Sequence, residues 1–228
     1  MKKSKVLITG SGGFIGSALC RRFMACAEVI ALDVCKKPEN LPERLIWAQV
    51  DITQSSSVEE VCRQHSPDVI IHCAGLAHQK AGTVNPEDYI RINSRAAEGL
   101  ARLVAENNPE AWFIFLSSIS VYGEDTLNIP VTEDSPCYPS SDYAVSKYDA
   151  EKRLLELCRK NLLRRLTILR LAPVYDRCWS LNLDRRVFGP HKLVYLRFGS
   201  GEQRMSALAR ANLVDFIEYL LTQSRSPS

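Results

Sequence analysis

The sequence has little net charge and no long apolar run. Lysine and arginine outnumber aspartate and glutamate by three over 228 residues, and no basic run is interleaved with aromatic residues, so nucleic acid is not an indicated partner. The apolar stretches are too short to cross a bilayer. The early lysines precede a predicted strand rather than the apolar core of a signal peptide. These absences predict a cytoplasmic protein without nucleic-acid or membrane partners.

Cysteine is present but never in a Cys-x-x-Cys pair. The eight cysteines stand at positions 20, 26, 35, 62, 73, 137, 158 and 178. Several of them fall in predicted strands or on helix faces, which favours reduced core thiols over zinc ligands or disulfides. We therefore predict no metal site. An apolar share of 46% and a charged share of 24% are ordinary for a folded globular chain.

Strand-like apolar runs alternate with helical patterns along the chain. Strands are predicted at 6–8, 28–33, 45–50, 68–75, 111–116 and 167–171, and the longer helices at 86–106, 143–160 and 211–221. Another helix, capped by Thr53 or Ser55, is expected to end before Pro67. This alternation predicts an α/β fold with a doubly wound (Rossmann), mostly parallel sheet.

The first strand runs into a turn in which Gly10, Gly13 and Gly16 stand at three-residue intervals, followed by a helix. Glycine lets phosphates and the helix approach the backbone closely, and the helix N-terminus offers N–H groups to a pyrophosphate. A glycine-rich turn that binds nothing is the alternative. Asp33 ends the second strand 23 residues after Gly10, where dinucleotide folds hold a carboxylate on the adenosine ribose; an ordinary strand-end or helix-cap aspartate is the alternative.

Tyr143 and Lys147 are four residues apart and share one face of a predicted helix. A phenol is a poor base at neutral pH, but a nearby ammonium lowers its pKa, so Tyr143 could take a proton from a substrate hydroxyl. A surface Tyr and Lys on an amphipathic helix is the alternative. Ser118 lies just past the fifth predicted strand, at the sheet edge where open α/β sheets bind ligands. It could also be an ordinary strand-end serine, and Ser120 competes with it.

Seven segments in order resemble the extended short-chain dehydrogenase/reductase superfamily, in its NAD-dependent sugar-nucleotide epimerase/dehydratase family. They are Thr9–Gly16, Asp51–Ile52, His72–Gly75, Asn93, Ser117–Gly123, Tyr143–Lys147 and Arg170–Tyr175. The resemblance implies that Tyr143, Lys147 and Ser118 are catalytic. The cofactor contacts that it implies are Gly10, Gly12, Gly13, Phe14, Ile15, Gly16, Asp33, Asp51, Ile52, Ala74, Gly75, Asn93, Tyr143, Lys147 and Pro173.

Some of these residues have a specific role by resemblance. Asp51 is assigned to the adenine amino group, with an N-cap aspartate as the alternative. Ala74 and Gly75 let the backbone approach the adenosine side of the cofactor. Asn93 bonds to backbone near the active site and steadies the Lys147 region, whereas a solvent-facing helical asparagine is the alternative.

The resemblance implies an NAD-dependent 4-epimerase, or a 4-keto reductase, that acts on a nucleotide-activated sugar. Tyr143 then removes a sugar hydroxyl proton while hydride leaves the carbon. A dehydratase is disfavoured, because the family would then have an Asp-Glu pair where Ser118 and Ile119 stand. A non-catalytic NAD(P)-binding or redox-sensing protein is the alternative. Dimerisation through helices 86–106 and 143–160 is a further implication.

The residues near Asp33 bear on the choice between NAD and NADP, and two histidines bear on the substrate. Asp33 repels a 2′-phosphate and favours NAD, while Lys36 and Lys37 keep NADP possible. His72 is expected in the core or a loop. His78 is either a substrate-facing side chain or a residue without a functional role.

The C-terminal part departs from the family in two ways. Asp176 stands where the family has glycine, and the chain ends about 50 residues after Val174. We therefore expect a dinucleotide-binding domain over 1–175, and over 176–228 a small substrate-binding or lid region that is not an independent domain. Three arginines there either clamp a diphosphate or form a solvated basic face; they are Arg185, Arg186 and Arg204.

Overall fold

The alternation of strands and helices is present in a computed structural model, which describes residues 3–77, 84–123, 130–177 and 206–223. The strands of the larger sheet are β1 (Lys5–Thr9), β2 (Glu28–Asp33), β3 (Ile46–Gln49), β4 (Val69–His72), β5 (Trp112–Ser118) and β6 (Arg165–Leu171). Their order across the sheet is β3-β2-β1-β4-β5-β6. This is the predicted doubly wound arrangement, and the fold class is confirmed.

The ladders that join β3, β2, β1, β4 and β5 are all parallel. Thr9 at the end of β1 pairs with Leu32 on one side and with His72 on the other. The carboxyl ends of these strands therefore meet at one edge. The strand order reverses between β1 and β4, which is where open α/β sheets bind ligands.

Helices cover the sheet. They are α1 (Gly16–Phe23), α2 (Ser55–His65), α3 (Pro86–Tyr89), α4 (Ala96–Asn107) and α5 (Asp142–Arg159). The predicted helix 86–106 is divided, because a π-helical turn at Ile90–Arg95 separates α3 from α4. A 3₁₀ turn at Ile119–Tyr122 follows β5.

The main core lies where α2, α4 and α5 pack against the sheet. Strands β4 and β5 are buried along their whole length, as expected for parallel strands covered on both faces. The helices contribute apolar stripes that include Val58, Leu100 and Leu154, each 1% exposed or less. Apolar residues at helical spacing thus form one buried layer against the sheet.

The predicted cap of α2 is wrong. The helix begins after Gln54, which makes no side-chain cap bond. Thr53 instead donates a hydrogen bond from Oγ1 to Asp51, so its hydroxyl bonds within the turn that precedes the helix. Ser55 is the first helical residue rather than the cap.

The chain divides into two compact units, 1–170 and 171–228. The second unit contains a parallel pair of short strands, β7 (Val174–Tyr175) and β8 (Leu208–Ala209), followed by helix α6 (Arg210–Gln223). The division falls slightly before the boundary expected after residue 175. The role of 176–228 as a substrate-binding region stays a prediction.

The cysteines within the described segments are all free thiols, while Cys178 lies outside them. Among the helices described, none combines the length and apolarity that a bilayer crossing requires.

Candidate active site

The glycine turn closes tightly on the loop after β4. Gly10 has φ +65°, and a Cβ there would stand 2.8 Å from the backbone nitrogen of Ala74. A Cβ on Gly16 would overlap the carbonyl of Gly10, and Gly13 donates its N–H to that carbonyl at 3.0 Å. Only glycine satisfies both the positive φ and the close approach.

Helix α1 starts from this turn with an exposed positive dipole end. It begins at Gly16, follows Ile15 and carries no acidic side chain in its first turn. The N-terminal dipole therefore meets no competing carboxylate on its own helix, and the turn has the form of an anion cradle. Phe14 is half-buried at the same turn, and Gly12 is exposed.

Asp33 lies directly against the turn. Its Oδ2 accepts the N–H of Gly12 at 2.9 Å, and its Oδ1 accepts the N–H of Cys35 at 2.9 Å. The carboxylate is thus oriented beside the cradle. Lys37 is directed to a different place, because its Nζ donates to the carbonyl of Glu43 at 2.9 Å. A glycine cradle that a Cβ would fill and an oriented carboxylate beside it fit a dinucleotide.

Asp51 makes local bonds before α2, but the N-cap of that helix is Gln54, so the N-cap alternative for Asp51 is wrong. Its Oδ1 accepts the N–H of Thr53 at 2.9 Å and the Thr53 hydroxyl at 2.8 Å. The side chain therefore stabilises the turn before α2. Ile52 is partly buried against the main core. Contact of either residue with an adenine stays a prediction.

His72 is a fully buried core residue at the end of β4. Its Nδ1 pairs with Thr9 Oγ1 at 2.9 Å, and the same hydroxyl oxygen accepts the N–H of Ala74 at 3.1 Å. Within the described residues, its Nε2 has no hydrogen-bond partner. Burial, with the nearby Lys147 charge adding to it, lowers the pKa of His72 to about 3. The neutral imidazole therefore serves packing rather than proton transfer.

Asn93 ties the loop after β4 to α5. It is 0% exposed and its Oδ1 accepts the N–H of Leu76 at 2.6 Å. Its Nδ2 donates to the Leu76 carbonyl at 3.0 Å and to Ser146 Oγ at 2.9 Å. A Cβ on Gly75 would stand 2.8 Å from Asn93 Oδ1 and 3.5 Å from Lys147 Nζ. The solvent-facing alternative for Asn93 is therefore wrong.

Ser118 and Tyr143 meet through their side chains. Ser118 is the last residue of β5 rather than the first residue after it, and its Oγ accepts the N–H of Ser120 at 3.1 Å. Burial raises the pKa of Tyr143 above its usual value, and a hydrogen bond with Ser118 opposes that rise. Ser118 Oγ also donates to Ser120 Oγ at 3.1 Å, so Ser120 supports Ser118 in this site.

Lys147 follows one turn later on α5 and is 5% exposed. Its Nζ donates to the carbonyl of Leu116 at 2.9 Å and lies 4.8 Å from the ring centroid of Phe115. Burial lowers the pKa of Lys147 to about 8, and Cys73 and Glu151 oppose that fall.

The predicted lowering of the Tyr143 pKa by the Lys147 ammonium is not found in the structure. Burial dominates the pKa of Tyr143, and the group that opposes it is Ser118 rather than Lys147. The reason is that Lys147 turns its ammonium toward the carbonyl of Leu116. The folded chain by itself thus favours the protonated form of the phenol.

The profile of the NAD dependent epimerase/dehydratase family matches residues 6–227. The chain belongs to this family.

Family members of two activities resemble the chain in sequence. A UDP-glucose 4-epimerase of Vibrio cholerae is 30% identical over 223 residues, which cover 95% of this chain and 66% of that protein. A dTDP-glucose 4,6-dehydratase of Haemophilus influenzae is 29% identical over 163 residues, which cover 62% of this chain and 48% of that protein. The chain spans about half to two thirds of the length of such curated relatives.

Solved structures of epimerases share the fold. The UDP-glucose 4-epimerase of Thermus thermophilus in complex with NAD superposes with a TM-score of 0.78 at 24% identity, covering 95% of this chain and 74% of that one. The UDP-N-acetylglucosamine 4-epimerase of Methanobrevibacter ruminantium gives a TM-score of 0.75 at 26% identity, covering 94% and 72%.

Two charged residues beside the family's Tyr-x-x-x-Lys segment were missed by sequence reasoning. Glu151, on α5, is 1% exposed and pairs with Arg170 of β6 at 2.7 Å. An acid one turn after Lys147, on the stripe that packs inward, was the available signal.

One of the remaining predicted site residues is described by the structure, and the others are not. Pro173 lies in the second unit, where its carbonyl accepts the N–H of Leu208 at 3.0 Å. Those outside the described residues are His78, Arg185, Arg186 and Arg204. Within the described segments, no group of three or more His, Cys, Asp or Glu side chains could hold a metal ion.

Proposed function

We propose that the chain binds NAD and catalyses proton transfer, coupled to hydride transfer, on a nucleotide-activated sugar. A 4-epimerase is the first form of this proposal and a 4-keto reductase the second. The observation that carries it is the hydrogen bond between Ser118 and Tyr143, with Lys147 one turn along α5. These side chains sit at the carboxyl edge of β5, beside the loop after β4.

The cofactor site proposed is the glycine cradle with its neighbouring loops. The turn from Gly10 to Gly16 receives the pyrophosphate at the start of α1, and Asp33 accepts the ribose hydroxyls. The carboxylate disfavours a 2′-phosphate, which supports NAD over NADP. A bound NAD would supply the hydride acceptor, and its positive ring would add to the field that favours the Tyr143 phenolate.

The chain's own residues manage the proton. Tyr143 holds it on the phenol oxygen and exchanges it with the sugar hydroxyl, while Ser118 hydrogen-bonds at the same position. The Lys147 ammonium donates to the Leu116 carbonyl, which fixes its position next to Gly75 in the loop after β4. Asn93 holds the adjoining loop through Leu76.

Epimerase or reductase chemistry is favoured over dehydration. By resemblance to the family, a dehydratase would carry an Asp-Glu pair at the end of β5. Ser118, the last residue of β5, and Ile119 stand there instead, and Ser118 is bonded to Ser120 and Tyr143. The relatives with UDP-glucose 4-epimerase activity support a UDP-sugar as the first substrate to test.

A homodimer through α3, the π turn, α4 and α5 belongs to the same proposal. Val145 and Leu155 of α5 are each 41% exposed, which supplies apolar contacts on that face. Glu98 of α4 already pairs with Arg102 and Arg153 at 2.7 and 2.8 Å within the protomer. Because Glu98 is already paired within the protomer, we assign the dimer contacts to the exposed apolar side chains of α5.

Release of the bound dinucleotide tests the function. The full chain is purified, denatured and its small molecules identified by mass spectrometry, and the protein is assayed with UDP-glucose and UDP-galactose. Retained NAD and interconversion of the sugars support the epimerase. An empty site with NADPH-dependent reduction of a 4-keto sugar supports the reductase. NAD binding without turnover of either class would instead indicate the non-catalytic alternative.

Replacement of Tyr143 tests the proton transfer. Tyr143→Phe removes the phenol and should lower kcat by roughly 100-fold or more, with NAD affinity by calorimetry nearly unchanged. Tyr148→Phe, on the same helix and also half-buried, is the matched control and should keep kcat. Unimpaired turnover in Tyr143→Phe removes Tyr143 from the mechanism.

A further inference from the structure

A buried cluster of charged and hydroxyl side chains lies beside the candidate catalytic residues. Glu151 Oε1 accepts a hydrogen bond from Ser117 Oγ at 2.5 Å. Arg170 donates to the same carboxylate from Nη2 to Oε2 at 2.7 Å and from Nε to Oε1 at 3.1 Å. A carboxylate this buried is stable only when it is paired and hydrogen-bonded, so these partners hold it in one geometry.

The cluster extends from Arg170 to the end of the 3₁₀ turn. Arg170 Nη1 donates to the Tyr122 hydroxyl at 2.7 Å, and the guanidinium lies 4.8 Å from the centroid of the Tyr122 ring. Tyr122 closes the turn that Ser118 caps. Ser117 and Tyr122 therefore tie both ends of the Ser118 segment to Glu151.

Glu151 shares its helix face with the candidate catalytic residues. Tyr143, Lys147 and Glu151 stand at four-residue intervals on α5, about 6 Å apart along the helix axis. A rotation or shift of α5 that moved Glu151 would move the other two with it. The bonds from Glu151 to Ser117 and Arg170 thus set the distance between the α5 face and the Ser118 segment.

We propose that Glu151, held by Arg170, is a positioning residue that fixes the contact between Tyr143 and Ser118 and supplies the counter-charge of Lys147. Its effect on turnover rests on the proposed function. Its effect on Lys147 does not, since that is a property of the folded chain.

Cys73 and Glu151 act against the burial that lowers the pKa of Lys147. The groups near Lys147 are His72 and Cys73 from β4 and its loop, the Leu116 carbonyl and Phe115 ring from β5, and Glu151 from α5, which is paired with Arg170. Burial raises the pKa of the Cys73 thiol, so Cys73 is neutral there. Loss of the carboxylate would therefore lower the pKa of Lys147 further below about 8.

The test replaces the carboxylate by its amide. In Glu151→Gln, the Lys147 pKa, followed by NMR of ¹³C-labelled lysine and assigned with Lys147→Arg, should fall by about one unit. The alkaline limb of kcat should move down with it. At its optimum, kcat should fall roughly tenfold or more, while KM for the UDP-sugar stays nearly constant.

Glu156→Gln is the matched control, since Glu156 is on the same helix and makes exposed pairs with Arg159 and Lys160. A Lys147 pKa and a kcat in Glu151→Gln equal to those of Glu156→Gln overturn the proposal. Should the wild-type chain turn over no sugar nucleotide, the proposed function fails, and the NMR titration still decides the counter-charge role.

Tyr122→Phe is the second variant, in case Glu151→Gln does not fold. It keeps every charge and removes only the phenol that accepts from Arg170. We expect kcat to fall roughly threefold to tenfold with an unchanged Lys147 pKa. A wild-type kcat in this variant contradicts the positioning role.

Discussion

At the scale of single residues, burial controls the titration of the site. His72, Lys147 and Tyr143 are displaced toward their neutral forms, because a low-dielectric surrounding disfavours charge. A hydrogen bond, such as that between Ser118 and Tyr143, or a carboxylate, such as that of Glu151 near Lys147, opposes that displacement. The folded chain therefore favours the neutral phenol of Tyr143, and a bound positive ring would favour the phenolate instead.

His72 gives a prediction on acid stability. The folded pKa is depressed to about 3, below the unfolded value near 6.5, so between these values the unfolded chain binds the extra proton. The free energy of unfolding should then fall as pH drops below about 6.5, by up to about 1.4 kcal/mol per pH unit from this residue.

Urea unfolding at several pH values measures it. His72→Asn should lack this part of the pH slope. His65→Asn, at the partly exposed end of α2, is the control and should retain the wild-type slope. Equal slopes in wild type and His72→Asn contradict the prediction.

At the scale of elements, the same amino acid has opposite value in a turn and in a helix. Gly10 needs its positive φ and its approach to Ala74, whereas a Cβ on Gly99 in α4 would meet nothing within 4 Å. Gly10→Ala should cost at least about 1 kcal/mol of unfolding free energy and weaken NAD binding more than tenfold. Gly99→Ala should stabilise the protein by roughly 0.5–1 kcal/mol and leave NAD binding unchanged.

Thermal and urea unfolding, with NAD titration by calorimetry, separate the two. Equal changes in the free energy of unfolding for both alanine variants would contradict the claim that the conformation of the turn requires glycine at position 10. Retention of full NAD affinity in Gly10→Ala would remove the turn from the cofactor site.

At the scale of the whole molecule, the proposed homodimer depends on the outer face of α5. Leu155→Glu puts a charge where an apolar contact is proposed, so we expect it to convert a dimer to a monomer. Leu162→Glu, at a residue 47% exposed beyond the end of α5, should leave the dimer intact. Size-exclusion chromatography with light scattering reports the mass. A monomeric wild type, or a dimeric Leu155→Glu, contradicts the proposal.

Local patterns in the chain were sufficient for the fold class and for much of the candidate site. Strand β2 has its predicted bounds, Glu28–Asp33, because a run of apolar β-formers bounded by polar residues depends on its immediate neighbours. The glycine spacing predicted the turn for the same reason: positive φ and close approach are properties of a few adjacent residues. The π turn inside helix 86–106 had no such signal, since it accompanies hydrogen bonds between Asn93 and the distant Leu76.

Tertiary packing decided the electrostatics. Tyr143 and Lys147 share a helix face by spacing, yet the ammonium bonds to Leu116, a residue 31 positions away. Glu151 finds Arg170 only because β6 lies next to β5 in the sheet. Burial and long-range pairs set which form of a group is stable, and they exist only after the strands are ordered side by side.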